Sequence, residues 1–518
     1  MQQPTVRQED PAERLRRVIG PTYPQRVRLP PMTLAIGALI VLMAIVQFAA
    51  GGYQWREGEL GTQPIDWALG AKVPSLIAHG EYWRLVTANF LHASWKHLIL
   101  NLLGLYVVGR MIEGFYGPAR MFAIFILSAV GGVAASYLLT PGVSLGASTG
   151  VLGLMGALVW HNWRYRDHLP AQVNYIYPVL LTLVAFQFVI DQLQPEVDSF
   201  AHIGGFFAGI GVAMLLESRV TGEGQSERDW LPLPTALATA AGLLIYGGVG
   251  LALALPRALP LLRAGSSRNG LEQTELIRGV VAERPYFTEA RLQFALMISQ
   301  LGRTDEAIRE YRTAIHTDPT ISDTHFDMTV RDQLVRSSLA VAFALGQSGR
   351  SDIAVATYQK ALQLDPSPKV AAHVRNDYAW FLVDRIAGDL AVAERYAVRA
   401  NEDDPGNPAY LDTLAWIYLK QNRPDKALRT QLQAVERAEN QADRLNREAM
   451  EAALPELYFH LGAIYERLER RPEAKRFYAK ALEKRPAYPE AQAGFDRLSD
   501  PSDEPTEPSR AVPGGTMI

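Results

Sequence analysis

The stretch SFAHIGGFFAG, residues 199–209, decides the fold of the first half of the chain. It places one ionisable ring, His202, at the start of an apolar run that continues to about Leu216. An ionisable side chain inside a membrane-length segment is costly, so its presence predicts a function. Gly205 and Gly209 follow at i+3 and i+7 on the same helix face, which lets that face lie almost backbone to backbone against another helix.

The partner predicted for this helix is the second glycine-rich stretch, GASTGVLGLMG, residues 146–156. It carries one small candidate nucleophile, Ser148, near its start. A serine hydroxyl needs a base, and an imidazole suits that role. Serine and histidine on two close-packed membrane helices therefore predict a hydrolase that works inside the bilayer.

Composition limits the possible classes of protein. With 518 residues the chain is too long for one core, so two or more domains are expected. It has no cysteine, which excludes disulfides and thiolate metal sites, and we predict neither a metal nor a cofactor. The net charge of -3 gives no signature of nucleic-acid binding.

Seven apolar segments have about the length of a membrane span. They lie near 33–51, 97–112, 119–139, 147–162, 173–190, 201–216 and 235–255. The first could instead be a signal peptide, since arginines precede it, but the orientation works best when it is retained. The sequence thus predicts an integral, multi-pass membrane protein in contact with the lipid bilayer.

Arginines in the short loops predict the orientation of these spans. They cluster before the first span and after the second, fourth and sixth, which puts the N-terminus in the cytoplasm and the C-terminal half outside. Ser148 and His202 then share a depth near the outer side of the membrane. The arginine-rich N-terminus lacks organelle-targeting character, which favours a bacterial cytoplasmic membrane.

The second half repeats small and aromatic residues at helical spacing. Ala295, Gly302, Ala307, Tyr311 and Ala314 recur at the same spacings from Ala342 onward, and three further sets follow. The period of 34 from Ala393 to Ala427 resembles tetratricopeptide repeats, which stack helix pairs into a solenoid. About five repeats are expected, with 488–498 as a capping helix and a generic helical bundle as the alternative.

These patterns divide the chain into five predicted regions. They are a disordered N-terminus (1–30), a six-span core (31–217), a linker with a seventh span (218–258), the repeat domain (270–498) and a disordered tail (499–518). The predicted fold class is all-α: a membrane helical bundle followed by an α-solenoid.

Two further polar residues lie on the second span. His97 and Asn101 are spaced i and i+4 and so share one helix face. Both can donate hydrogen bonds, and both are expensive in lipid. His97 is expected at about the depth of Ser148 and His202, so the pair could donate to a developing oxyanion. Either residue alone could equally join neighbouring helices by hydrogen bonds.

In their order along the chain, these motifs resemble rhomboid intramembrane serine proteases. The resemblance covers about 33–217 and includes YWRLVT at 82–87, FLH at 90–92 and the residues Gly109, Glu113 and Gly117, besides the serine and histidine helices. It implies that Ser148 is the nucleophile and His202 the general base. It also implies an oxyanion hole formed by the Ser148 amide with His97 and Asn101.

The family uses a dyad, so the resemblance requires no aspartate. Orientation of the imidazole must then come from packing, to which Gly205 and Gly209 could contribute. Two residues depart from the family pattern: Thr149 stands where glycine is frequent, and Leu152 stands where an aromatic ring would stack on the histidine. Positioning of His202 is therefore the open question at this site.

Several other residues are expected to support the site rather than to react. They are Trp83 and Arg84 in the first loop, Glu113 with Arg110 or Arg120 at the far end of the second span, and Gly146, Gly205 and Gly209. The irregular backbone at 141–146 must line a cavity or be buried in protein. We expect a shallow aqueous pocket open to the outer face.

The resemblance implies hydrolysis of peptide bonds in or beside transmembrane segments of membrane protein substrates. The repeats are expected to bind a peptide or protein partner. One alternative is a catalytically silent membrane adaptor of the same fold, although this chain retains both serine and histidine. A transporter has little support, because no span is broken at the midplane with paired charges.

Overall fold

A computed structural model describes residues 29–51, 64–166, 176–193, 197–216, 231–322, 325–384, 389–441 and 447–499. The predicted all-α class is confirmed. One isolated bridge between Lys72 and Ser144 is the sole strand-like pairing in the described ranges. The chain forms two compact units, Met1–Val330 and Arg331–Ile518. The two predicted disordered ends lie almost wholly outside the described residues.

A helix occupies each of the seven predicted spans. They are α1 (Pro31–Gly51), α5 (Trp95–Tyr116), α6 (Pro118–Leu139), α7 (Ser148–Arg164), α8 (Ile176–Leu193), α9 (Ser199–Leu215) and α10 (Leu233–Ser266). Among the described helices, α1, α5, α6 and α10 are long and apolar enough to cross a membrane, and α9 is apolar but shorter. The protein is accordingly an integral membrane protein.

Three short helices lie in the loop between α1 and α5, and further helices follow α10 in the first unit. The loop holds α2 (Pro64–Leu69), α3 (Pro74–Ala78) and α4 (Arg84–Thr87). After α10 come α11 (Gly270–Glu283), α12 (Thr288–Gln300) and α13 (Thr304–Thr317). The division between the units lies at Val330, further along the chain than the predicted start of the repeats at 270.

The outer faces of the long helices are apolar and uncovered. Leu253 of α10 is 74% exposed and Leu100 of α5 is 67% exposed. Large aliphatic side chains in such positions are unfavourable in water but suit a hydrocarbon surround. Inward-facing residues of α1, α5, α6 and α7 instead form one buried cluster that includes Ile40, Ile112 and Leu158.

The segment that begins α12 packs on the loop between α1 and α5. Glu289 is buried, and its carboxylate accepts from the backbone N–H of Ser75 at 3.3 Å and from the Ser75 hydroxyl. Phe287 meets Trp67 edge-on, with ring centroids 5.4 Å apart. Arg284 lies 3.6 Å from Glu81 in an ion pair. Charged and aromatic contacts from the start of α12 and the residues before it therefore stabilise this loop.

The second unit is a series of paired helices. They are α14 (His325–Gln347), which begins just before the unit boundary, α15 (Ser351–Leu362), α16 (Pro368–Asp384), α17 (Leu390–Asp403), α18 (Pro408–Lys420), α19 (Pro424–Gln441), α20 (Arg447–Arg467), α21 (Arg471–Lys484) and α22 (Pro489–Arg497). The repeated alanines Ala342, Ala354, Ala415 and Ala474 are fully buried, as expected where paired helices approach closely. The first helices of two pairs, α14 and α20, are the longest of this unit, with 23 and 21 residues.

Candidate active site

Ser148 and His202 lie in direct contact although 54 positions separate them. Ser148 is the first residue of α7, and His202 is the fourth residue of α9. The Oγ of Ser148 lies 2.7 Å from Nε2 of His202, which is hydrogen-bonding distance. Both residues thus lie at the N-terminal ends of their helices.

Glycines bring the two helices together. A Cβ added at Gly209 would lie 1.9 Å from the carbonyl oxygen of Gly153, and one at Gly205 would lie 2.3 Å from that of Thr149. A Cβ at Gly156 would lie 2.1 Å from the carbonyl oxygen of Phe206. No side chain fits at these distances, so the glycines of both stretches are needed for α7 and α9 to pack backbone to backbone.

The backbone before Ser148 takes a conformation that favours glycine. Gly146 has a φ of 140°, and its N–H donates to the carbonyl of Ala88 at 2.9 Å. A Cβ there would lie 2.6 Å from Cε1 of His97 and 3.6 Å from the Oγ of Ser148. His97 and the serine hydroxyl therefore both lie close to this glycine.

The two side chains predicted as oxyanion donors each leave one buried nitrogen without a partner in the described structure. Among the described residues, Nδ1 of His97 and Nδ2 of Asn101 are buried without a hydrogen-bond partner. A buried amide donor without a partner is unfavourable and calls for an explanation, such as a ligand that it would meet. The backbone N–H of Ser148 also has no acceptor within its own helix, because α7 begins at this residue.

Thr149, which replaces a glycine frequent in the family, fits without displacing the helix. Its hydroxyl donates to the side-chain oxygen of Asn89, in the loop between α1 and α5. The threonine thereby joins the start of α7 to that loop. Leu152, four positions after the serine, is buried against Val184, Phe206 and other apolar side chains. None of the described aromatic rings stacks on His202.

His202 is held instead by a residue that the sequence analysis did not identify. Oδ2 of Asp191, on α8, lies 2.7 Å from Nδ1 of His202. The expectation that packing alone orients the ring is therefore wrong, because a buried carboxylate contacts it. Asp191 is eleven positions before the histidine on a different helix, so no local spacing links the two residues.

A buried lysine, Lys72, connects the loop before Ser148 with the start of α9. Nζ of Lys72 donates to the carbonyls of Thr140 and Gly142, each at 2.7 Å, in the loop that leads to Ser148. It also lies 3.9 Å from Asp198, whose carboxylate caps the start of α9 by accepting from the N–H of Ala201 at 3.0 Å. Burial lowers the pKa of Lys72 to about 8, against the opposing charges of Asp198 and Glu289.

The other predicted supporting residues, Trp83, Arg84 and Glu113, are buried. Arg84 donates to the backbone carbonyl of Trp67 at 2.7 Å, and its guanidinium lies 4.6 Å from the centroid of the Trp83 ring. Glu113, which was expected to fasten the far end of the second span, contacts the start of α1. Its carboxylate accepts from the N–H groups of Met32 and Thr33 at 3.0 and 2.9 Å, so it caps the start of α1.

Comparison with known families agrees with this architecture. Residues 79–219 match the family model of the rhomboid domain, and residues 335–368, 409–441 and 455–488 match that of the tetratricopeptide repeat. Among solved structures, the chain is similar to the tetratricopeptide repeat protein YrrB, with 16% identity, a TM-score of 0.31 and coverage of 43% of this chain and 99% of that one.

Curated relatives include named proteases. The chain is 29% identical over 269 residues to the rhomboid protease GluP of Bacillus subtilis (strain 168), covering 51% of each protein. It is 31% identical over 205 residues to Rhomboid-like protease 1 of Toxoplasma gondii, covering 38% of this chain and 64% of that protein. The chain spans about half the length of the first of these relatives.

Proposed function

We propose that this chain, which carries a rhomboid domain and tetratricopeptide repeats, is an intramembrane serine protease with Ser148 as nucleophile and His202 as general base. The observation that carries the proposal is the 2.7 Å distance between Oγ of Ser148 and Nε2 of His202. We assign the catalytic core to residues 31–217. A serine and a histidine in hydrogen-bonding contact are the arrangement that activates a hydroxyl for acyl transfer.

The proposed reaction proceeds through an acyl-enzyme. His202 accepts the hydroxyl proton of Ser148 as Oγ attacks the carbonyl carbon of the scissile peptide bond. The tetrahedral oxyanion accepts hydrogen bonds from the Ser148 N–H and from the side chains of His97 and Asn101, whose Nδ1 and Nδ2 atoms have no partner among the described residues. Protonated His202 then donates to the leaving nitrogen, the C–N bond breaks, and water hydrolyses the acyl-enzyme by the same route.

Substrates in this proposal are transmembrane segments of membrane proteins. A helical segment satisfies its own backbone hydrogen bonds in lipid, so it must unwind before a peptide bond can reach Ser148. Glycine or other small residues near the cleavage point are therefore expected. The loop at 141–146 would border the pocket that admits water.

We also propose a topology and a role for the repeats. Arginines in the loops put the N-terminus in the cytoplasm and the repeats outside, in a bacterial cytoplasmic membrane. The repeats would bind a peptide or protein partner there. Protease added to the outside of intact cells should then remove residues 270–498, and protection of this region would reverse the orientation.

Cleavage by the purified full-length protein tests the proposal. The protein is reconstituted with a transmembrane substrate that contains a central glycine pair, and product is measured for wild type, Ser148→Ala and His202→Ala. Each variant should lose at least roughly 10³-fold in rate. Ser144→Ala is a matched control in the preceding loop, since the contacts of Ser144 are made by its backbone.

Two outcomes would reject this function. Cleavage that persists in both Ser148→Ala and His202→Ala would remove the proposed pair from the chemistry. Absence of cleavage by wild type with several such substrates would favour the catalytically silent adaptor, in which the same helices bind transmembrane segments without cutting them.

A further inference from the structure

Two carboxylates lie near His202, and they are used differently. Asp198 caps α9 and contacts Lys72 and Ser136, which places it against the start of the helix rather than against the ring. Asp191 contacts the ring itself: its Oδ2 lies 2.7 Å from Nδ1 of His202. The Asp191 side chain is fully buried, with 0% of its area exposed.

With Asp191 ionised, the hydrogen bonds around it leave one arrangement of protons. An ionised carboxylate can only accept, so the proton in the contact with His202 belongs to Nδ1. The unprotonated Nε2 then accepts from the hydroxyl of Ser148 at 2.7 Å. The other oxygen of Asp191 accepts from the amide Nε2 of Gln187 at 2.8 Å, one turn earlier on α8. Both oxygens of Asp191 and both ring nitrogens of His202 thereby have a partner.

This arrangement gives His202 the tautomer that a general base for Ser148 needs. A neutral imidazole has one donor and one acceptor nitrogen, and only the form with the proton on Nδ1 presents a lone pair to Oγ. When His202 takes the serine proton, the carboxylate of Asp191 lies next to the new positive charge. In a buried site this proximity stabilises the imidazolium more than it would in water.

Asp191 also orients the ring of His202, a role that Leu152 does not fill. No aromatic ring stacks on the imidazole among the described residues, and Leu152 packs against Val184 and Phe206. A histidine with neither a stacked ring nor a hydrogen-bonded partner would be free to rotate out of line with Oγ. The contact from α8 removes that freedom, because it fixes the edge of the ring opposite the serine.

We infer that Asp191 is the positioning residue of a Ser148–His202–Asp191 triad, which fixes the histidine tautomer and stabilises its protonated form during proteolysis. The inference rests on the proposed function. The inference goes beyond the proposed function because it assigns a role to a third helix, α8, which contributes neither the nucleophile nor the base. Asp191 acts through His202 and does not contact the reacting atoms.

The test begins with Asp191→Asn in the reconstituted full-length protein. The change keeps the size of the side chain but replaces one acceptor oxygen with a donor, which favours the wrong tautomer of His202. The kcat should fall roughly 10²- to 10⁴-fold while KM changes by less than about 3-fold. A kcat within about 3-fold of wild type would overturn the inference and leave a Ser–His dyad.

Gln187→Met is the second variant, in case Asp191→Asn does not fold. It keeps the proposed triad and removes the other hydrogen bond of the carboxylate, so kcat should fall about 3- to 10-fold. A purely structural role for Asp191 predicts a different result: both variants would lower thermal stability, and the folded fraction would keep wild-type kcat.

A readout independent of activity separates this inference from the proposed function. Nitrogen-15 NMR of labelled histidine should show the His202 tautomer with its proton on Nδ1 in wild type and in Ser148→Ala, and should lose it in Asp191→Asn. An inactive wild type with this signature would reject the protease and retain the Asp191–His202 contact. An unchanged signature in Asp191→Asn would reject the positioning role whether or not the protein cleaves.

Discussion

Among the described residues, each unit contains one buried histidine paired with an aspartate, and the two histidines differ in their second contact. In the membrane unit, Nδ1 of His202 lies 2.7 Å from Asp191. In the repeat unit, Nδ1 of His460 lies 2.9 Å from both oxygens of Asp412. A buried His–Asp contact by itself therefore does not identify a catalytic site.

The second partner of each histidine makes the difference. Nε2 of His202 meets the hydroxyl of Ser148, whereas the ring of His460 stacks on Trp416 with centroids 4.3 Å apart. Asp412 also accepts from Gln431, which in turn donates to the carbonyl of Leu457 at 3.0 Å. The pair in the repeats thus joins α18, α19 and α20, and we interpret it as structural.

The largest predicted loss of cleavage comes from separating α7 from α9, because this separates Ser148 from His202. In Gly209→Ala the new Cβ would lie 1.9 Å from the carbonyl oxygen of Gly153, so the helices must move apart and Ser148 must leave His202. The rate of cleavage should fall roughly 10²-fold or more, with a lower melting temperature. Gly211→Ala is the matched control two residues away, because no neighbouring atom lies within 4 Å of a Cβ added there.

An equal loss in the two glycine variants would mean that the effect comes from helix composition rather than from the contact. Wild-type activity in Gly209→Ala would contradict the backbone-to-backbone packing on which the site depends.

Loss of a proposed oxyanion donor should weaken the membrane site without disturbing the contact between Ser148 and His202. Nδ2 of Asn101 is buried and has no partner within the described structure, so Asn101→Ala removes a donor that only a substrate would use. The kcat should fall about 10²-fold, while the melting temperature stays close to that of wild type. A lower melting temperature with unchanged kcat would instead make Asn101 a link between helices.

An aspartate-to-asparagine change in the His460–Asp412 pair of the repeats should affect stability alone. Asp412→Asn leaves buried His460 without its charged partner, which should destabilise the unit by roughly 3 kcal/mol. Hydrogen exchange of the full-length protein should then show protection of α18 and α20 lower by about 10²-fold. Cleavage of a substrate that lacks any repeat-binding segment should stay within about 2-fold of wild type, and a large loss would contradict the division of roles.

The smallest predicted effect is a pH dependence confined to the repeats. Burial alone would lower the pKa of His460, but the charge and hydrogen bond of Asp412 outweigh burial and raise that pKa above its ordinary value. Because the folded state binds the proton more tightly, this stabilisation is fully present below about pH 6.5 and is lost as pH rises through the raised pKa. Protection of α20, corrected for intrinsic exchange, should fall over that range in wild type and not in Asp412→Asn.

The features that were predictable from sequence are those with local periodicity. Gly205 and Gly209 share a helix face with His202, so their spacing alone predicts a close helix contact, and Ser148 follows as the small polar residue of the other glycine-rich stretch. The alanines of the repeats are predictable in the same way, because each pair of helices repeats one packing pattern.

The features that escaped prediction depend on residues brought together by the tertiary fold. Asp191 reaches His202 from another helix, Lys72 reaches the Ser148 loop from before the second span, and Glu289 reaches Ser75 across 214 positions. Glu113 is similar, since its partners are the N–H groups at the start of α1. A buried polar side chain requires a hydrogen-bond partner, but its position in the sequence does not identify that partner.

Covalent labelling of the serine tests the central claim most directly. The reconstituted full-length protein is treated with a serine-reactive fluorophosphonate, and the modified residue is located by mass spectrometry. We predict one adduct on Ser148 in wild type, none in Ser148→Ala, and strongly slowed labelling in His202→Ala, because the hydroxyl loses its base. An adduct at another serine, or equal labelling of wild type and His202→Ala, would contradict the account.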